Sequence, residues 1–425
     1  MSTTTHSPSL LGADYERIAA RYRPVIERIR ATALQREQQR ELGHEAIGWL
    51  KAARFGALRV PVEYGGDGAT LPQLFQLLIE LGEADSNIVQ ALRGHFAFVE
   101  DRLNAPRDAA NAVWLRRFAD GDLVGNAWTE VGNVAIGEVI TRVSQKPDGR
   151  WVVNGRKFYS TGSIFADWID LFARRGGPGD GNGSGDGLDV IAAVRARQAG
   201  VTHHDDWDGF GQRTTGSGTS VYDNAEVDEA HIFPFASRFK YQTAFYQLFH
   251  LATLAGIARA ATRDAGSEVR ERRRVFSTGN ASAVAQDVQV QQVVGEVAAA
   301  AYAAEATAIR AAFAAQRAYD AHWQGTPEEE KQANIDAELE SAQGQIAISE
   351  LVLRATTQFF NALGASAASA SKSLDRHWRN ARTIASHNPV IYKARIVGDW
   401  HVNGTEPPYV WQIGAGQRTG AKAAA

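Results

Sequence analysis

Three long helix-forming runs dominate the second half of the chain: Leu248 to Ala265, Val284 to Tyr319 and Ala333 to Leu363, the first two rich in alanine. Alanine has the highest helix propensity and lets helices approach closely, so these stretches have few other options. The separators are short, Ser277-Thr278-Gly279-Asn280 and Gln324-Gly325-Thr326-Pro327. Acidic residues follow Pro327, where carboxylates favour a helix start. Long helices joined by short breaks predict an antiparallel bundle.

The first quarter is also helix-like, with Ile18, Tyr22, Val25, Ile26 and Ile29 at helical spacing. Its clear interruption is Val60 to Gly68, where proline and clustered glycines force a loop before Leu71 to Glu83 resumes an apolar helical pattern. Between Gly121 and Phe233 the pattern shortens to β-rich runs, Val139 to Val143 and Trp151 to Gly155, around a Pro147-Asp148-Gly149 turn. The glycine-rich stretch Gly176 to Gly187 lacks the Lys-Ser/Thr ending and following helix of a phosphate loop, so a flexible hairpin loop is expected. The expected organisation is mainly α with a central β-domain: a helical domain at 13–120, a small β-barrel at 121–233, a four-helix bundle at 234–403 and a tail at 404–425. In that tail Tyr409 and Trp411 are expected to dock before the end frays.

Composition excludes several chemistries. The chain has 425 residues and no cysteine, so disulfides, thiolate metal sites and thiol nucleophiles are ruled out, and redox chemistry needs a borrowed cofactor. A net charge of −3 gives no global field for nucleic acid or an anionic membrane. Met1 to Leu11 carries no basic start or apolar run, and no stretch is apolar enough to span a bilayer, so a cytoplasmic protein is expected.

Several separated segments resemble, in order, the acyl-CoA dehydrogenase superfamily. Pro61-Val62-Glu63-Tyr64-Gly65-Gly66 resembles its Pro-x-x-Tyr-Gly-Gly, and Trp128-Thr129-Glu130 its flavin-side Thr-Glu-Pro, with Val131 for proline. Asn154 to Gly162 is similar to the Asn-Gly-x-Lys stretch lying against the isoalloxazine. Many dehydrogenases of that family carry Tyr-Glu-Gly after Arg-Asp-Ala-Arg/Lys, and its glutamate is the catalytic base. Here Arg379-Asn380-Ala381-Arg382 leads instead to His387-Asn388-Pro389. Within the superfamily, Asp205-Asp206-Trp207, Gly211 to Gly218, Arg376 to Thr383, His387 to Val390 and Tyr392-Lys393 resemble the dibenzothiophene monooxygenase group.

That resemblance implies a two-component monooxygenase using FMN as FMNH2 from a separate NAD(P)H:flavin reductase. It would react with O2 through a flavin C4a-hydroperoxide and oxygenate a small or aromatic organosulfur compound. The absence of a Gly-x-Gly-x-x-Gly fingerprint agrees with outsourced flavin reduction. The implied catalytic residues are His387, suited by an imidazole that titrates near neutrality, with Asn388, His95 and Thr161. Asn126, Trp128, Thr129, Tyr159, Ser160, Thr161, Trp207 and Arg382 are the implied flavin contacts. Arg273 or Arg274 is expected to reach the flavin phosphate of another subunit, commonly in a homotetramer. The segment Leu363-Gly364-Ala365-Ser366-Ala367 departs from the glycine motif that holds FAD, which makes FAD less expected than FMN; Ser366 and Ile384 also replace a group arginine and a frequent group histidine. Alternatives are an amine N-hydroxylating monooxygenase of the same group, a FAD-dependent acyl-CoA dehydrogenase with Glu268 or Glu271 as base, and a non-catalytic protein on the same fold.

Overall fold

A computed structural model describes residues 11–176 and 187–410. Most of the glycine-rich loop, and Trp411 with the rest of the tail, lie outside the described residues. The first lobe comprises α1 (Gly12–Gln39), α2 (His44–Ala52), α3 (Leu71–Ala84), α4 (Ser86–Ala91), α5 (Arg93–Asn104) and α6 (Ala109–Asp120). Helix α1 buries Tyr15, Ile18, Tyr22, Ile26 and Ile29 along one stripe. The Val60–Gly68 loop ends at Thr70, whose side chain accepts the Gln73 amide while Gln73 bonds back, a capping box that fixes the start of α3.

The central region forms β1 (Val124–Ala127), β2 (Arg142–Gln145), β3 (Trp151–Lys157), β4 (Trp168–Arg175), β5 (Leu188–Arg195), β6 (Val201–His203), β7 (Ser220–Val227) and β8 (Ile232–Pro234). The strand order is β6-β7-β3-β2-β4-β5-β8, with β1 parallel to the first half of β4 and β2 parallel to its end. The sheet curls until β5 and β7 meet, enclosing Val143, Val153, Ile169, Leu171, Val194, Tyr222 and Ala225. Strands β4 and β5 pair antiparallel out to Arg175 and Leu188.

The second helical part comprises α7 (Gln242–Glu271), α8 (Val288–Gln324), α9 (Pro327–Gln358), α10 (Arg376–His387) and α11 (Val390–Asn403). Helix α9 starts at a Thr326–Glu329 capping box with Pro327 and three glutamates in its first turn. Helices α7, α8 and α9 pack on one another, and α3 joins them through one continuous core. At the α3–α7 crossing a Cβ on Gly256 would lie 2.7 Å from the Gly82 Cα, so this contact is backbone to backbone. The start of the tail packs on the bundle: Pro407 is buried, Glu406 pairs with Lys331 at 2.6 Å, and Thr243 donates to the Tyr409 carbonyl. Among the described residues no helix is long and apolar enough to cross a membrane.

A buried ion pair ties α5 to the loop before α3. Both Glu100 carboxylate oxygens accept from Arg59 at 3.0 Å, and the Tyr241 hydroxyl donates to Glu100 at 2.5 Å. Glu100→Ala would leave a fully buried guanidinium uncompensated and is expected to cost about 3–5 kcal/mol. Denaturant unfolding of the variant beside the wild type checks this; a loss below about 1 kcal/mol would contradict it.

Candidate active site

The elbow between α10 and α11 is clamped from two sides. Helix α10 ends at His387, and the extended Asn388 passes the chain to Pro389. The Asn388 side chain donates to Gln247 on α7 at 2.9 Å, while its carbonyl accepts from Gln345 on α9 at 2.6 Å. The elbow geometry is therefore set by two buried amides. His387 is exposed at the end of α10, and its ring lies 4.3 Å, centroid to centroid, from the ring of His250 on α7. Loss of water and the Arg93 guanidinium both hold His387 below its ordinary range, so the imidazole is neutral.

His250 is buried and neither ring nitrogen has a hydrogen-bond partner. Burial, followed by His387, Arg93 and Lys393, pushes it well down and keeps it neutral. Arg93, at the first position of α5, packs over the Tyr246 ring at 5.0 Å, and its sealed Nε has no partner. Tyr246 meets Trp128 edge to face at 5.5 Å. The next residue, Gly94, presses against β1: a Cβ there would lie 2.9 Å from the Asn126 Cβ. The first turn of α5 thus joins the histidine pair to the strand that carries Asn126.

The other wall is the turn after β3 packed on the 212–219 loop. Ser160 N–H donates to the Gly218 carbonyl at 2.9 Å and Gly162 N–H to Thr215 at 3.2 Å. The Thr161 hydroxyl is held at 2.8 Å by Ser217, which bonds Thr215 at 2.7 Å. Asn126 N–H points to the Thr161 carbonyl at 3.5 Å, and Ser163 Oγ donates to the Asn126 carbonyl at 3.1 Å. Two buried polar atoms remain unbonded here, Asn126 Oδ1 and Ser160 Oγ. Tyr159, half exposed, stands edge to face with Trp207 at 5.6 Å. Unsatisfied acceptors and a hydroxyl beside aromatic surface fit a flat heteroaromatic ligand with donors and acceptors on its rim, as flavin has.

Some motif residues act as braces. Lys157, fully buried, donates to Glu130 at 2.6 Å and to the Trp128 carbonyl at 3.1 Å; burial lowers it to about 8. Glu130 also accepts the Thr141 amide and hydroxyl at 3.1 and 2.9 Å. Thr129 accepts the Phe158 amide at 3.0 Å. The segment carrying Trp128 is thereby fixed against the sheet.

Four expectations need revision or relocation. His95 does not face the cleft: Nε2 bonds the Gly56 carbonyl at 2.9 Å, Nδ1 takes the Val124 amide at 3.3 Å, and the ring packs among Phe96 and Phe118. It is a core histidine with both nitrogens occupied. Arg382 donates to Ser386 Oγ at 3.1 and 3.0 Å along its own helix rather than joining the Ser160 cluster. Arg273 and Arg274 are exposed beyond the far end of α7, roughly 30 Å from His250 at helical rise, so they do not line this chain's own cleft. Glu268 lies on that same far end, paired with Lys372, and Glu271 is exposed beside it; neither can serve as a base near His387. Arg93, His250, Gln247 and Gln345 were not singled out by sequence. The available signal was polar side chains at three-residue spacing, Gln247 and His250, inside the buried stretch of α7.

Residues 248–391 match the family described as acyl-CoA dehydrogenase, C-terminal domain. Dibenzothiophene monooxygenase from Rhodococcus erythropolis is 27% identical over 402 residues, 91% of this chain and 93% of that protein. FMN-bound TdsC from Paenibacillus sp. A11-2 superposes with a TM-score of 0.82 at 28% identity, covering 92% of this chain and 98% of TdsC. Methanesulfinate monooxygenase MsuC from Pseudomonas fluorescens gives 0.80 at 25% identity, with coverages of 92% and 98%. A curled sheet between two helical parts is the architecture the chain shares with these structures, and residues 248–391 are similar to the acyl-CoA dehydrogenase C-terminal domain. Along nearly its full length the chain is similar to flavin-dependent monooxygenases of the dibenzothiophene monooxygenase kind.

The occupied ring of His95 predicts a stability effect. Burial lowers its pKa from 6.5 to about 4. The unfolded chain then binds the extra proton between those values, so stability rises with pH across pH 4–6.5, by about 3 kcal/mol at most. His95→Gln is expected to flatten part of that slope in denaturant titrations at pH 4.5 and 7, while leaving flavin affinity unchanged. A hundredfold loss of flavin affinity with an unaltered slope would return His95 to the site.

Proposed function

We propose that this protein is an FMNH2-dependent, two-component monooxygenase that transfers one oxygen atom of O2 to a small or aromatic organosulfur compound. A separate NAD(P)H:flavin reductase supplies the reduced flavin, and the reaction is cytoplasmic. The observation that carries this reading is the α10–α11 elbow, where dehydrogenases of the family hold a carboxylate base and this chain holds the neutral His387 and Asn388. Proton abstraction from carbon needs a basic group of suitable pKa, and the carboxylates considered as substitutes lie at the other end of α7. Similarity to the dibenzothiophene and methanesulfinate monooxygenases supports oxidation at sulfur, across neutral aromatic and small anionic substrates.

FMN rather than FAD is proposed, in keeping with the FMN-bound relative. Asn126 Oδ1 and Ser160 Oγ would satisfy polar positions on the flavin rim, and Thr161, held through Ser217, would orient beside them. Trp128, Tyr159 and Trp207 supply aromatic walls and exclude water. Bound reduced flavin supplies the electrons and the position at which O2 is activated. His387, neutral and clamped through Asn388, would hold or deliver a proton at the oxygen end. The exposed Arg273 and Arg274 suit a flavin phosphate on a neighbouring subunit, which supports a homotetramer.

Incubation with FMN, NADH, a flavin reductase and 18O2 is expected to add one 18O to an organosulfur substrate, read by mass spectrometry. His387→Ala should lower product per FMNH2 by about 100-fold with FMN binding retained. Flavin reduction by acyl-CoA without oxygenated product would sink the proposal.

A further inference from the structure

A cavity of about 340 Å³ lies between the end of α5, the start of α6 and strand β8, and it shares no lining residue with the cleft described above. Its walls are largely apolar, with Pro106, Val113, Trp114 and Phe233 facing it and His231 just before β8. The rings are fixed against one another: Trp114 stands edge to face with His231 at 5.0 Å and with Phe233 at 6.4 Å, and the Arg102 guanidinium lies over Phe233 at 3.9 Å. An apolar hollow of this size with a few fixed polar groups is the usual form of a small-molecule site.

Its polar groups are incompletely bonded. Arg102 and Asn111 both line the cavity and are only 5% and 7% exposed. Arg102 commits Nη2 to Asp101 at 2.6 Å, and its Nε–H has no partner. Asn111 donates Nδ2 to the Arg102 carbonyl at 2.7 Å, and its Oδ1 has none. A buried donor and a buried acceptor left open on neighbouring side chains call for one ligand group that both accepts and donates. Charge is already matched. Asp101 offsets Arg102, and Asp108 is taken up by the Asn111 backbone amide at 2.8 Å. His231, pushed down by burial and then by Arg117, is neutral and accepts from Arg117 at 3.1 Å. An anion would leave Asn111 Oδ1 without a donor, and a cation would face the guanidinium.

We propose that this cavity binds a small, neutral aromatic carboxamide, its carbonyl accepting from Arg102, its N–H donating to Asn111 and its ring lying among Trp114, Phe233 and Val113. The site goes beyond the monooxygenase reading and does not depend on it.

Full-length protein is titrated with para-fluorobenzamide, para-fluoroacetophenone and para-fluorobenzoate, with and without excess FMN, and binding is read by fluorine NMR. The wild type should hold the amide at least about tenfold more tightly than the ketone, which lacks the donor, and than the benzoate, which lacks it and adds charge. Ala110→Trp, at the exposed rim, should fill the cavity and weaken amide binding at least about tenfold, with Tm and FMN affinity unchanged. Asn111→Leu should abolish the preference for amide over ketone; because Asn111 is buried, the rim variant keeps the test independent of how well the Leu variant folds. Equal binding of amide and ketone by the wild type, unaltered amide affinity in Ala110→Trp, displacement of the amide by FMN, or binding of none of the probes would each overturn the proposal.

Discussion

Everything in the cleft depends on how closely α3 and α7 cross. Gly82 and Gly256 let the two backbones touch, and a methyl group on Gly256 would lie 2.7 Å from the Gly82 Cα. That contact locks the N-terminal helices onto the bundle through one continuous core. Helix α5 packs on α7 in the same assembly, and its first turn lays Arg93 over the Tyr246 ring at 5.0 Å. With larger residues the helices would separate, and long side chains reaching the cleft from both would no longer converge.

The polar cleft then works against the stability that this core supplies. Around it, buried charge is matched with care: Lys157 to Glu130, Arg238 to Asp170, Arg59 to Glu100. These pairs hold the frame in one arrangement, since a buried charge that loses its partner is strongly destabilising. Within the cleft the pattern reverses. Arg93, His250, Asn126 Oδ1 and Ser160 Oγ all lack full partners. Satisfied polar groups in the frame and unsatisfied ones facing the same space are what a ligand site looks like before its ligand arrives.

Much of this was legible in the sequence, for identifiable reasons. The bundle followed from alanine-rich runs and a capping signature at Thr326, because local propensity and tertiary packing agree there. The turn carrying Ser160 and Thr161 was readable because its neighbours are motif residues with fixed tasks; Lys157 and Glu130 need each other inside a dry sheet. His95 misled because residue type and neighbourhood were right while direction was not. It lies two residues after Arg93, about 200° around the helix, so the two side chains leave α5 on opposite faces. His250 was hidden by its surroundings: a polar residue in an apolar helix acquires meaning only when both its nitrogens are seen to be unbonded. Arg273 and Arg274 could not be assigned because a single chain does not bring them to its own cleft.

The missing glutamate changes the charge of the elbow between α10 and α11. Loss of water and the Arg93 guanidinium push the His387 imidazole below its ordinary range. With His387 and Asn388 in place of that glutamate, the elbow carries no carboxylate and is clamped by the amides of Gln247 and Gln345. The elbow thereby loses a carboxylate base and keeps a fixed imidazole. That exchange suits oxygen chemistry better than proton abstraction from carbon, because a positioned imidazole can hold or deliver a proton near neutral pH.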